Sequence, residues 1–154
     1  MPKKDTPGVL LPPPLILIIF AIAGAIANKL EPMGISDSSW IMISGFMMII
    51  LGVVIIKTSI KYMNLAETNV NPYRPSSKIV TDGPFHYSRN PIYVGLSIGY
   101  LGFAPMFISY WILILFPAYF LTMTFGVIKR EEKYLEKKFG QEYLDYKRKV
   151  GRWL

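Results

Sequence analysis

Between Thr81 and Gly95 the chain places its single histidine, His86, beside Tyr87, Arg89, Asn90 and Tyr93, with Asp82, Gly83 and Pro84 just before them. Histidine titrates near neutrality and can move a proton. Arginine carries a permanent charge and a two-pronged donor suited to carboxylate or phosphate. Asn90-Pro91 reads as a helix start, because proline fits the first turn, where its missing N–H costs nothing. The backbone donors of such a start favour an anion. Tyr93 falls three residues after Asn90, on nearly the same helix face. A second cluster, Arg130-Glu131-Glu132, follows the last apolar stretch. Adjacent glutamates on a helix point about a third of a turn apart, so one can face a bundle while the other faces water. A carboxylate there suits a hydroxyl or a cationic group. The same residues also suit a plainer role as membrane-surface anchors. Arg89 and Lys78 would then sit on lipid phosphates, with Tyr87 and Tyr93 in the interfacial aromatic belt.

The elements that must hold these clusters are membrane spans. Of the 154 residues, 52% are apolar and 18% are charged, and the apolar ones fall in blocks of membrane length. The length suits one domain, 1–154. With no cysteine, disulfides, thiolate metal sites and cysteine nucleophiles are excluded, and one histidine makes no His-rich metal centre. No metal is therefore expected. The net charge of +7 would suggest nucleic acid in a soluble protein. Here the apolar blocks make anionic lipid headgroups the expected partner, and no nucleic acid.

Four spans are expected, over about 9–28, 40–57, 91–107 and 109–128. No charge occurs from Pro91 to Ile128, too long a run for one helix and long enough for two. A break near Ala104-Pro105 would make them a hairpin, with Tyr110 and Trp111 at the next interface. Basic residues agree. The N-terminal tail has Lys3 and Lys4, the first connection only Lys29, and the third none. The second connection carries Lys57, Lys61, Arg74, Lys78 and Arg89, and nine lie between Lys129 and Arg152. Under the positive-inside rule both termini and the middle loop are cytoplasmic, which brings the two polar clusters to the same side. Lys3-Lys4 followed by an apolar core and Ala25-Ile26-Ala27 also resembles a cleavable signal peptide, although the block's full span length favours a retained helix.

The middle loop, with Pro72, Pro75 and Pro84, is expected to be irregular. Asp82-Gly83-Pro84 reads as a turn whose glycine supplies any positive φ. The tail, 129–154, is charged and helix-prone, interrupted at Phe139-Gly140. Leu135, Phe139, Tyr143, Tyr146 and Val150 form one apolar stripe, which suits a surface-lying amphipathic tail.

The run from Gly83 to Gly95, the pair Glu131-Glu132 and the stretch from Phe139 to Tyr146 together resemble the isoprenylcysteine carboxyl methyltransferase family. Phospholipid N-methyltransferases share the same broad pattern. The family signature is Arg-His-Pro-x-Tyr-x-Gly followed by a glutamate pair after the final span. The resemblance covers roughly Thr68 to the C-terminus. It implies an all-α integral membrane bundle with a cytosolic cofactor-binding loop, 68–93, and a C-terminal helical tail. It also implies an S-adenosylmethionine-dependent methyltransferase acting in the lipid bilayer on a lipophilic or small-molecule acceptor. Carried over by position, Lys78, Ile79 and Val80 would line the cofactor pocket with Phe85 beside them. Asn90, Pro91, Ile92 and Tyr93 would hold the methionine moiety, and Glu131 would hold the cofactor from the last helix. His86 and Glu132 are the candidate bases for an amine or thiol acceptor, with Arg89 positioning an anionic group. Two positions depart from the family. Asn90 stands at the signature histidine, and Val127 at the arginine that eukaryotic members are credited with using for substrate. A phospholipid, amine or thiol methyltransferase is the alternative within the class. Outside it stand a membrane reductase, related in its C-terminal pattern but without support from a glycine-rich dinucleotide fingerprint here, and a non-catalytic lipid-binding module.

Overall fold

The computed structural model describes residues 5–35 and 38–154; Lys3 and Lys4 lie outside them. Four apolar helices form the body: α1 (Pro13–Leu30), α2 (Ser39–Leu65), α3 (Pro91–Met106) and α4 (Tyr110–Met123). Charged α5 (Lys129–Phe139) and α6 (Gln141–Lys149) come after them. No strand occurs among the described residues.

Sequence explains most boundaries. Pro12, Pro13 and Pro14 open α1, with proline in its first turn. Pro91 opens α3 in the same way. Gly140 takes φ 55° between α5 and α6, a conformation that glycine adopts without a Cβ clash. The α3–α4 turn is tight: the Ser109 N–H donates to the Ala104 carbonyl at 2.9 Å and Ile108 sits at φ 50°. One boundary departs clearly from expectation. α2 runs on to Leu65, because Lys57 and Lys61 are good helix formers and no breaker precedes the loop.

Among the described residues, three helices are long and apolar enough to cross a membrane: Pro13–Leu30, Ser39–Leu65 and the continuous helix Tyr110–Phe139, whose apolar part ends at Ile128. The third of the four expected spans is shorter. α3 has 16 residues, or about 24 Å at the α-helical rise, against about 30 Å of hydrocarbon. It still lies within the bundle. Gly45 faces Gly102 and Gly52 faces Gly95, so α2 and α3 run antiparallel with their backbones in close approach. A Cβ on Gly52 would come within 2.5 Å of the Gly95 carbonyl oxygen, which only glycine avoids; small residues play this part in membrane helix packing. α1 and α4 are also antiparallel, with Gly24 on Ile112, Phe20 on Tyr119 and the Leu10 N–H donating to the Gly126 carbonyl. The α3–α4 hairpin completes the set. Its centre is the stack of Tyr100 on Tyr119, 4.5 Å apart and nearly parallel. Outward faces stay apolar and exposed, as with Ile22, Ile26, Phe46 and Val54, which suits lipid and not water.

This antiparallel order gathers the start of α1, the end of α2, the start of α3 and the end of α4 at one end of the bundle. Both polar clusters lie there.

Candidate functional site

The loop after α2 is pinned by its own polar side chains. Thr68 Oγ1 accepts from the N–H of Ser77 at 3.0 Å, and Asn69 Nδ2 donates to the Pro75 carbonyl at 2.7 Å. The Tyr134 hydroxyl on α5 accepts from the Ser76 N–H at 3.2 Å. Gly83, at φ 61°, turns the chain into a short 3₁₀ turn, Gly83–His86. Phe85 is buried there, and its carbonyl accepts from the Tyr146 hydroxyl at 2.7 Å. The tail's apolar stripe is therefore partly inside: Tyr143 and Tyr146 are buried against the loop, not spread on a surface. Burial pushes both phenols well above their usual range.

A cavity of about 110 Å³, partly open to solvent, lies between this loop, the start of α3 and α5. Phe85, Arg89, Asn90, Pro91, Ile92, Tyr93 and Glu131 all line it. A smaller recess beside it is lined by Lys78, Ile79 and Val80, and shares Phe85 and Arg89 with the cavity. The structure thus gathers around two adjoining spaces every residue the sequence offered for cofactor binding. It leaves two of the proposed catalytic residues out. His86 is exposed and sits edge-on to Tyr87, lining neither space. Glu132 is buried and turned aside into an ion-paired cluster.

The electrostatics of the cavity are mixed. The buried Arg89 side chain reaches Glu132 through Nη2 at 3.2 Å. Its Nε and Nη1 have no hydrogen-bond partner among the described residues. Beside it, no side chain caps the α3 N-terminus. Glu131 also lines the cavity, and its Oε1 accepts from the Tyr93 hydroxyl at 2.7 Å. Burial pushes the Glu131 carboxyl up to about 7; the Tyr93 hydrogen bond opposes this and neighbouring Glu132 adds to it. A π-helical turn, Thr124–Ile128, joins α4 to α5 just before this pair. Such a turn shifts the register of the helix downstream of it, and here Glu131 faces the cavity while Glu132 faces the arginines.

Several lining residues carried no signal in the sequence. Pro7 reaches the cavity because the N-terminal segment lies across α5, with the Gly8 carbonyl accepting from Arg130 Nη1 at 3.1 Å. Tyr134 is another. Arg152 was also missed: its contacts to Glu132 and to Asn90 span 20 and 62 residues, and no local pattern marks a contact of that range.

An all-helical membrane bundle with a polar cavity at the mouth of its third helix is the class that fold and site define. Residues 40–142 match the phospholipid methyltransferase family. The chain belongs to that family, as an isoprenylcysteine carboxyl methyltransferase-like member. It is 31% identical over 119 residues to protein-S-isoprenylcysteine O-methyltransferase B of Arabidopsis thaliana, covering 76% of this chain and 60% of that one. A 27-residue stretch is 70% identical to an uncharacterised protein of Haemophilus influenzae, covering 18% of this chain and 43% of that one. Its fold resembles the solved eukaryotic intramembrane Ras methyltransferase, isoprenylcysteine carboxyl methyltransferase. The TM-score is 0.70 at 25% identity, over 91% of this chain and 51% of the other. The chain thus spans about half to three-fifths of the length of these two methyltransferases.

Proposed function

We propose that the chain is a single-unit integral membrane methyltransferase that moves a methyl group from S-adenosylmethionine to a lipophilic or small-molecule acceptor. One observation carries the reading: the same cavity is lined by Arg89, whose Nε and Nη1 are buried without a partner, and by the carboxylate of Glu131. That pairing fits the amino-acid end of the cofactor, which bears a carboxylate and an ammonium. Arg89 and the α3 start would take the carboxylate, and Glu131 the ammonium, with Tyr93 orienting Glu131. Asn90, Pro91 and Ile92 line the same cavity and would pack against the chain between those two groups. The recess of Lys78, Ile79 and Val80, walled by Phe85, suits the adenosine part. By the count of basic residues, this end of the bundle and both termini face the cytoplasm.

The bound sulfonium supplies an electrophilic methyl group for in-line displacement. The protein's share is alignment and exclusion of water. His86 lies outside the cavity and Glu132 is held by two arginines, so neither is given a proton to move. An acceptor that attacks as an anion, such as a carboxylate, needs no such base.

Titration calorimetry on detergent-purified protein tests this. Saturable binding of S-adenosylmethionine is expected, weakened on the order of tenfold or more, about 1.4 kcal/mol or above, by Glu131→Ala and by Tyr93→Ala. A purified, folded protein that binds no S-adenosylmethionine overturns it.

A further inference from the structure

The chain after α6 folds back across the α3 start. The Arg89 N–H donates to the Gly151 carbonyl at 3.0 Å. The Arg152 carbonyl accepts from Asn90 Nδ2 at 3.0 Å and from Ser88 Oγ at 3.4 Å. Trp153 stacks on Phe120 of α4, ring centres 4.5 Å apart, and holds this strap to the bundle. Asn90, at the family's histidine position, thus gives a side-chain donor to the strap. The Arg152 side chain reaches the other way. Its Nε lies 3.0 Å from both oxygens of Glu132, and its Nη2 lies 2.7 Å from Oε2.

Two arginines therefore share one buried carboxylate, and they share it unequally. Arg152 takes the forked geometry that guanidinium and carboxylate prefer. Arg89 is left a single contact at 3.2 Å, with Nε and Nη1 buried and unpartnered at the edge of the cavity that the residue lines. A buried guanidinium with unmet donors takes the nearest anion available. Without Arg152, the nearest one is Glu132.

Resting on the methyltransferase reading above, we propose that Arg152 is a positioning residue: by occupying Glu132 it keeps Arg89 turned to the cavity to receive a ligand carboxylate. Glu132 is then a clamp with no direct part in the chemistry. Removing the Arg152 side chain frees Glu132, Arg89 closes on it bidentately, and the cavity loses its cation. The strap's backbone bonds to Ser88, Arg89 and Asn90 survive that change, because they use the Gly151 and Arg152 carbonyls.

The test compares two ligands on the full chain in detergent by calorimetry. S-adenosylhomocysteine carries the amino-acid carboxylate; 5′-methylthioadenosine lacks it. Arg152→Ala is expected to weaken S-adenosylhomocysteine on the order of tenfold or more while changing 5′-methylthioadenosine by less than about twofold. Arg152→Lys, which keeps a charge but not the fork, should fall between. Trp153→Ala controls for loosening of the strap as a whole and should weaken both ligands alike. Equal loss of both ligands in Arg152→Ala, or loss of neither, overturns the proposal and leaves the cofactor reading standing. Wild-type protein that binds neither ligand overturns both.

Discussion

Glu131 is the residue whose chemistry depends most on its surroundings. Its carboxyl, pushed up to about 7 from an ordinary 4.5, is partly protonated at neutral pH in the ligand-free protein. Only the ionised form attracts an ammonium. S-adenosylmethionine affinity should therefore rise as pH increases from 6 through about 7, before the ligand's own ammonium begins to lose its proton, and Glu131→Gln should flatten that rise; calorimetry from pH 6 to 7.5 reads both. The same shift has an opposite sign for stability. The folded state holds the proton more tightly than the unfolded chain, so Glu131 costs stability as pH rises from about 4.5 through 7. Glu131→Gln should then melt higher than wild type at pH 8, by light-scattering or fluorescence in detergent. That these residues gather was legible in the sequence, since Asn90-Pro91, Tyr93 and the glutamate pair each carry local chemistry. The division of labour within the glutamate pair was not. It is set by the π-helical turn at Thr124–Ile128 and by Arg152, and His86, exposed outside both spaces, was marked by its residue type alone.

At the scale of elements, the α2–α3 pairing supports the site, because α3 begins at the cavity and α2 is its main neighbour. Gly95→Ala places a Cβ 2.7 Å from the Gly52 carbonyl oxygen and 2.8 Å from Ile56 Cγ1. The helices must separate, at a cost of roughly 1–3 kcal/mol for overpacking. The expected outcome is a lower melting temperature together with weaker S-adenosylmethionine binding. Gly99→Ala, which meets nothing within 4 Å, is the matched control and should change neither. The helices themselves were readable from uninterrupted apolar runs, prolines at N1 and a glycine at 140. The pairing was not read, although Gly45 and Gly52 repeat at the same interval of seven as Gly95 and Gly102. A seven-residue spacing shows that two faces are small. It does not say which helices meet.

The whole molecule is a bundle with its chemistry at one end, and the sidedness inferred from basic residues can be tested cleanly because the chain has no cysteine. Ser76→Cys in the loop and Glu142→Cys in α6 should react with a membrane-impermeant maleimide only when the cytoplasmic face is exposed. Labelling of either from outside intact, right-side-out vesicles would reverse the orientation. Span count was the part of the overall plan least secure in the sequence, since a 38-residue uncharged run from Pro91 to Ile128 fits two helices without fixing their lengths. The turn at Phe107–Ser109 divides it unevenly, leaving α3 with 16 residues. That shortness bears on the bilayer as well as on the protein. A helix of about 24 Å beside hydrocarbon of about 30 Å creates a hydrophobic mismatch, which lipids relieve by thinning locally. Thinning around α3 would bring the membrane surface closer to the cavity at its Tyr93 end. On the methyltransferase function proposed above, a water-soluble methyl donor and an acceptor dissolved in lipid would then meet there, with neither one crossing far into the other's solvent.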